Sequence, residues 1–185
     1  MVYDQLIGAG CVSKLTFSWG GNPGVGSLHR FRDAVENNWP HQIEIEEHSH
    51  AGMAARYVAG ASGLPFGVLR GYVGTDLVDQ TSSIKTISCP FTDEELTAVP
   101  AINPDVTLIH AQRADREGNV FIGRKRELLT IAHAAFRSLV TVERIIEGSV
   151  FDTPATAAGS VPAIYVDGIA VLAQGAAPVG LPEHY

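Results

Sequence analysis

Ser18-Trp19-Gly20-Gly21-Asn22-Pro23-Gly24-Val25-Gly26-Ser27 separates the alternating run Lys14-Leu15-Thr16-Phe17-Ser18-Trp19 from the amphipathic run Ser27-Leu28-His29-Arg30-Phe31-Arg32-Asp33-Ala34-Val35-Glu36. Four glycines, a proline and an asparagine in ten residues exclude regular structure there. Glycine permits positive φ and close backbone approach, and proline fixes the turn. The unit therefore reads as strand, glycine-rich loop and helix, with Ser27 as the N-cap. Free N–H groups converging at such a junction suit an anion or a carbonyl oxygen, although an ordinary tight turn would carry the same residues. Neither common phosphate pattern fits. No Lys-Ser or Lys-Thr follows the glycines except the distant Lys85-Thr86, and Gly24 and Gly26 lack the third glycine of a dinucleotide fingerprint.

Working outward, strand-like and helical runs alternate. Residues 4–10 read as a short helix or turn, and Gln42-Ile43-Glu44-Ile45-Glu46-Glu47 alternates with period two. Residues 51–60 form a small-faced helix, and Phe66-Gly67-Val68-Leu69-Arg70 reads as a buried strand. Residues 71–104 loosen into a long excursion with one strand at Lys85–Ser88. Then come a strand over 105–110, a turn at Gly118-Asn119 after Asp115, a helix over 125–137, a strand over 138–143, and a last strand at 163–166. The near-continuous apolar run Leu139-Val140-Thr141-Val142 suits a parallel sheet covered on both faces. The expectation is one α/β domain over residues 1–185, built on an open, mostly parallel sheet with helices on both faces, which binds ligands at the carboxyl ends of its strands.

Composition narrows the function. The chain has 185 residues, 45% hydrophobic and 18% charged, enough for a substantial core. A net charge of −7 disfavours a nucleic-acid surface, and the basic triplet Arg124-Lys125-Arg126 reads as a solvated helix face. No apolar run is long enough to cross a membrane, and no signal-peptide pattern opens the sequence. Two cysteines, Cys11 and Cys89, without metal spacing suit a reducing cytoplasm.

Three chemically dense spots fall at strand ends: the glycine loop, Glu46-Glu47-His48-Ser49-His50, and His110-Ala111-Gln112-Arg113-Ala114-Asp115, with Arg70-Gly71-Tyr72-Val73-Gly74-Thr75-Asp76 a weaker fourth. His48 and His50, two apart, would point the same way from a strand beside Glu47. That group could serve acid–base chemistry or line a polar pocket. It could equally be a helix N-terminus capped by Ser49. A metal finds little support, because no second ligand group has recognisable spacing. A serine hydrolase finds none, since Gly24-Val25-Gly26-Ser27-Leu28 is in the wrong frame for a nucleophile elbow. Asp115 with Gly118-Asn119 reads as a turn fixing a strand end, and His110 as a satisfied core histidine.

Taken in order with Leu64-Pro65-Phe66 and the run from His110 to Asn119, these motifs resemble the alpha subunit of family I coenzyme A-transferases, of the kind found in glutaconate CoA-transferase. The resemblance implies the open α/β fold of that family and a beta-type partner subunit, in a heterodimer or heterotetramer. A glutamate of the partner would attack the acyl-CoA thioester and hand CoA to a carboxylic acid through a glutamyl-CoA intermediate. Coenzyme A would be a substrate, with no permanently bound cofactor. No catalytic residue is expected in this chain, because the beta-type Ser-Glu-Asn-Gly or Glu-Ser-Gly run is missing. The resemblance assigns the acyl pocket to Ser18, Gly20, Gly21, Asn22, Gly24 and Ser27, extended to Glu47, His48 and His50. Arg70 or Arg113 would clamp a second substrate carboxylate.

Members of the family begin with a further βαβ segment, whereas this sequence opens at Met1-Val2-Tyr3-Asp4. The expectation is an N-terminally shortened domain whose exposed sheet edge is covered by a partner. Alpha-like relatives that hydrolyse acyl-CoA or open rings supply an alternative activity. They carry an acidic residue where this chain has His50. A non-catalytic structural subunit is the third reading.

Overall fold

The computed structural model describes residues 2–21, 26–177 and 180. Asn22 and Gly24 of the glycine-rich loop therefore lie outside the described residues. The chain divides into two compact units, Met1–Ala55 with Val68–Val99, and Arg56–Gly67 with Pro100–Tyr185.

The first unit opens with helix α1 (Val2–Gly8), strand β1 (Lys14–Phe17), helix α2 (His29–Asn37) and strand β2 (Glu44–Glu47). β1 and β2 pair in parallel, with Leu15 opposite Ile45 and Phe17 opposite Glu47. Ile7, Ala34 and Ile43 form the small core beneath them, with Leu15 and Phe31 packed against it. α2 starts one residue later than a Ser27 cap implies, with Leu28 at the N-cap position and no side-chain cap of its own. The Asp4 carboxylate of α1 takes over by accepting the Phe31 N–H at 2.9 Å. A negative charge in the first turn of a helix is also favoured by the helix dipole. Asn38, left-handed at φ 54°, closes α2.

Helix α3 (His50–Ala61) follows β2 directly. Ser49 caps it, its hydroxyl accepting the Gly52 N–H at 3.0 Å. A three-stranded sheet comes next, in the order β3-β5-β4, from β3 (Phe66–Leu69), β4 (Lys85–Ser88) and β5 (Glu95–Pro100), with the single-turn helix α4 (Leu77–Gln80) between the first two. β3 is an edge strand alternating between exposed and half-buried residues, not the buried strand its composition suggests. β5 fills part of the excursion that reads as irregular. Its Thr97 is fully buried and donates to the carbonyls of Leu69 and Gly71 at 3.0 and 2.6 Å.

The second unit is built on a five-stranded mixed sheet in the order β10-β8-β6-β7-β9. Its strands are β6 (Thr107–Asp115), β7 (Val120–Phe121), β8 (Ser138–Ile146), β9 (Ser160–Val161) and β10 (Gly168–Val171). β6, β8 and β10 are parallel, while β7 is antiparallel to both β6 and β9. Ile109, Ala111, Val140 and Val142 alternate onto one face, where Leu128, Leu129 and Ala132 of helix α5 (Glu127–Ala134) join the core. Leu108 and Leu139, opposite each other in register, fall on the alternate positions and are exposed. Alternating α and β elements and the parallel pairings β1·β2, β6·β8 and β8·β10 give the α/β architecture expected, with the strands shared among three sheets and several antiparallel pairs.

Two local expectations change. Residues 163–166 form a 3₁₀ turn (Ala163–Tyr165) instead of the last strand, because Pro162 sets the turn and Tyr165 and Val166 bond back to Pro162 and Ala163. Arg124-Lys125-Arg126 precedes α5 and does not lie on a helix face. No helix among the described residues is long and apolar enough to cross a membrane.

Candidate functional site

The parallel pair β1·β2 decides where the dense motifs of the first unit meet. Phe17 is the last residue of β1 and stands opposite Glu47, the last of β2. The ladder runs one step further, with the His48 N–H donating to the Phe17 carbonyl at 2.9 Å. The glycine-rich loop and the Glu46–His50 segment thus leave side by side from the carboxyl ends of two paired parallel strands, the edge where open α/β sheets hold ligands.

At that edge, Gly20 and Gly21 also answer a packing demand. A Cβ on Gly20 would stand 3.1 Å from the Tyr3 hydroxyl and 3.2 Å from the Phe17 ring, and one on Gly21 would collide with the Trp19 indole. Burial, aided by the Asp4 charge, pushes the Tyr3 hydroxyl above its ordinary pKa. Gly26 is left-handed at φ 97° with open space around it, and Ser27 is exposed beyond the loop. Ser18 follows β1 and is half-buried, while Trp19 is exposed.

Glu46, outside the sequence-derived site set, organises the second segment. Its carboxylate accepts from His48 Nε2 at 2.8 Å, from the Ser83 hydroxyl at 3.0 Å and from Lys14 Nζ at 2.7 Å. His48 is buried, and its Nδ1 faces the Tyr72 hydroxyl at 3.4 Å. That hydroxyl accepts both the N–H and the hydroxyl of Ser49, at 2.9 and 3.0 Å. The pattern closes consistently when His48 carries its proton on Nε2 and Tyr72 donates to Nδ1. Tyr72 sits in the left-handed region at φ 75°, a conformation costing a non-glycine residue about 1–2 kcal/mol. Its burial and its bonds to Ser49 offset that cost. A Cβ on Gly52 would collide with the Tyr72 hydroxyl, so α3 can approach only with glycine at that position.

This network separates the residues that sequence spacing groups together. β2 ends at Glu47 and α3 begins at His50, so His48 and His50 share no strand face. His48 turns inward into the Glu46–Tyr72 network, while Glu47 and His50 are exposed on either side of it. The period-two rule is the signal that finds Glu46, since it puts that residue on the side of His48. The apolar Ile45 points to the other face, yet it is 39% exposed.

Arg70 lies off this cluster, its guanidinium held on Glu94 by Nε at 2.6 Å and Nη2 at 2.9 Å. The hydrogen bonds to Glu94 raise the Arg70 pKa and lower that of Glu94. A carboxylate clamp at Arg70 would have to displace that partner. Close by, a hydrogen bond from the Thr92 hydroxyl, with the Phe91 backbone, draws the Cys89 thiol below its ordinary pKa.

The run from His110 to Asp115 belongs to the second unit and lies inside β6, not beyond its end. Arg113 stacks over the Phe121 ring at 4.4 Å. Both His110 nitrogens are engaged, Nδ1 with the Thr141 hydroxyl at 2.8 Å and Nε2 with Glu143 at 2.7 Å. Asp115 is buried and accepts from the Asn119 backbone and side chain, Glu117 N–H, Val150 N–H and the Ser149 hydroxyl. Burial works against its ionisation, but these donors, Asn119 foremost, outweigh it and hold its pKa below the ordinary aspartate value.

Comparison with known proteins gives this geometry a context. The family model for coenzyme A transferase matches residues 3–172. The chain is 63% identical over 151 residues to the A-type subunit of 3-oxoadipate CoA-transferase from Pseudomonas knackmussii, a match that covers 80% of this chain and 52% of that protein. In three dimensions it is similar to glutaconate coenzyme A-transferase from Acidaminococcus fermentans, with TM-score 0.83 and 31% identity, covering 95% of this chain and 60% of that one. It is also similar to a variant of the decarboxylase AibA/AibB, with TM-score 0.84 and 28% identity, covering 99% and 67%. The chain spans about half the length of the curated relatives it matches. A family match over nearly the whole sequence, together with these folds, settles the assignment: the chain belongs to the coenzyme A transferase family.

Proposed function

We propose that this chain is the A-type member of a heteromeric CoA-transferase of the cytoplasm. In that role it lines the acyl pocket while a beta-type partner supplies the attacking glutamate. The observation that carries this reading is the register of β1 and β2, whose adjacent carboxyl ends release the glycine-rich loop and the Glu46–His50 segment at one edge. The pocket residues are Ser18, Gly20, Gly21 and Ser27 on the loop, with Asn22 and Gly24 from its undescribed part, and Glu47 and His50 beside it. His48 acts from beneath, by fixing the backbone from which Glu47 and His50 project.

The chemistry asks little of this chain beyond orientation and dryness. A carboxylate oxygen of the partner attacks the thioester carbonyl carbon, and the C–S bond breaks to release CoA as thiolate. The thiolate attacks the glutamyl carbonyl of the resulting anhydride and frees the first carboxylate. The acceptor carboxylate then reverses both steps and leaves carrying CoA. Each attack places negative charge on a carbonyl oxygen, and preorganised N–H donors lower its barrier. Glycine-rich backbone is suited to supply them without side-chain obstruction. The 63% identity to a 3-oxoadipate CoA-transferase chain supports a 3-oxo dicarboxylic acid as acceptor.

The test is intact-mass spectrometry of this chain co-purified with a beta-type partner, after incubation with a panel of acyl-CoAs and no acceptor. A CoA-sized adduct on the partner alone is the expected result. An acyl-CoA hydrolase or lyase is the second reading, favoured by the structural similarity to the decarboxylase. Thioester loss without any adduct would select it. A complex that neither binds nor consumes thioester would leave a non-catalytic, structural subunit.

A further inference from the structure

The Tyr3 hydroxyl has no part in the pocket described above. Among the described residues it is the one buried side-chain polar atom without a hydrogen-bond partner. The Tyr3 ring packs against the Ile7–Ala34–Ile43 core of the first unit. Its oxygen reaches the start of the glycine-rich loop, 3.1 Å from where a Cβ on Gly20 would stand. The Gly21 N–H faces that oxygen without closing a hydrogen bond. The neighbouring Asp4 carboxylate is not its partner, and accepts the Phe31 N–H instead.

A buried hydroxyl left unpaired costs stability, and a phenylalanine would fill the same space without that cost. Burial raises the pKa of the phenol, so the group stays a neutral O–H at physiological pH. What the oxygen contributes is contact. Phe17, packed edge-on against Phe31 with ring centroids 5.8 Å apart, stands 3.2 Å from the same Cβ position on Gly20. The start of the loop therefore rests on two aromatic side chains, one anchored in the core and the other at the end of β1. Two consecutive glycines have no side chains with which to hold their own height, so the seat has to come from beneath.

We infer that Tyr3 is a positioning residue of the acyl pocket, its hydroxyl the seat that sets where the Gly20–Gly21 peptide stands. The role in turnover rests on the transferase reading above, in which this loop offers N–H groups to an acyl oxygen. The seat itself rests on the packing alone. Tyr3 touches no reacting atom in this scheme. It acts through the Gly21 N–H, which loses its direction when the loop can sink by the width of one oxygen atom.

The experiment compares wild type with Tyr3→Phe, in the full chain and in its complex with a beta-type partner. The variant keeps the ring, so urea unfolding should show stability equal to wild type or higher. Amide hydrogen exchange in the peptide spanning Gly20 and Gly21 should become about tenfold faster, with α1 and β2 unchanged. Transfer is read with whichever acyl-CoA of a panel the wild-type complex consumes fastest. There kcat should fall about tenfold with the acyl-CoA KM held within about twofold, because misplacing a positioned group acts on the chemical step. Gly20→Ala presses on the hydroxyl, so the double variant should lose less than the product of the two single losses. Either unchanged loop exchange or an unchanged kcat in the folded Tyr3→Phe variant would overturn the inference. So would losses that multiply, or lowered stability with faster exchange throughout the first unit, which would make Tyr3 a core residue only. A wild-type complex that transfers no CoA overturns the transferase reading, and exchange then decides alone. Faster exchange confined to the Gly20–Gly21 peptide keeps the seat, and unchanged exchange removes it.

Discussion

Two inward-facing carboxylates, one in each unit, are satisfied in opposite ways. Asp115 is held by neutral donors, most of them from its own turn: Glu117 N–H, Asn119 N–H and the Asn119 amide. Glu46 adds to its near neighbour His48 two partners from distant segments, Lys14 of β1 and Ser83 ahead of β4. The first is a local clasp that ends a strand. The second is a cross-link that holds three stretches of chain in register. A local clasp survives changes elsewhere, whereas a cross-link depends on every segment arriving.

The sharpest way to break this comparison is Asp115→Ala, which leaves the Asn119 and Val150 donors buried without an acceptor. Unfolding in urea should show a loss of about 3 kcal/mol. Because the folded pKa of Asp115 lies below the unfolded one, its contribution is complete above the unfolded aspartate value of about 3.9 and is lost as pH falls through the folded value. Acid unfolding of the wild type should therefore be steeper below that pH than that of the variant. Glu46→Ala should cost less, about 2 kcal/mol, since Lys14 keeps Glu44 as a partner at 2.7 Å. A cost equal to that of Asp115→Ala would abolish the distinction. Tyr72→Phe should lower stability by about 1 kcal/mol in the same assay, through the lost acceptor for Ser49. Smallest in energy is a reactivity contrast within the first unit. Cys89, with its lowered pKa, should be alkylated by iodoacetamide faster than Cys11 at neutral pH, as mass spectrometry after timed quenching would show.

The same contrast explains what can be read from sequence. Asp115 with Gly118-Asn119 is legible because the interacting residues are neighbours and Gly118 takes the positive φ of 92° that such a turn needs. The β1 strand and the α2 helix, α3 with its Ser49 cap, β8 and the first half of β6 are legible for similar reasons, since periodicity and caps are local. Ser27 has the chemistry to cap α2, but its place is taken by Asp4, 27 residues before the Phe31 N–H it accepts, a contact no local pattern encodes. β5 is hidden because its central Thr97 reads as polar loop. Only the fold supplies the Leu69 and Gly71 carbonyls that let it be buried. The Glu46 network is hidden for the same reason, since Ser83 and Tyr72 come from the stretch that reads as irregular.

Gly52 and Tyr72 carry a consequence for how this sequence can change. With the tyrosine present, any side chain at position 52 strikes its hydroxyl and the ring carbon behind it. The two positions therefore form an ordered pair in mutational space. Shrinking residue 72 opens the way for position 52, whereas the reverse order passes through a clashing intermediate. A library randomised at both positions should return non-glycine residues at 52 only on backgrounds that have already lost the tyrosine ring. The edge carrying Glu47 and His50 could then be re-shaped by a two-step path and not by a single substitution.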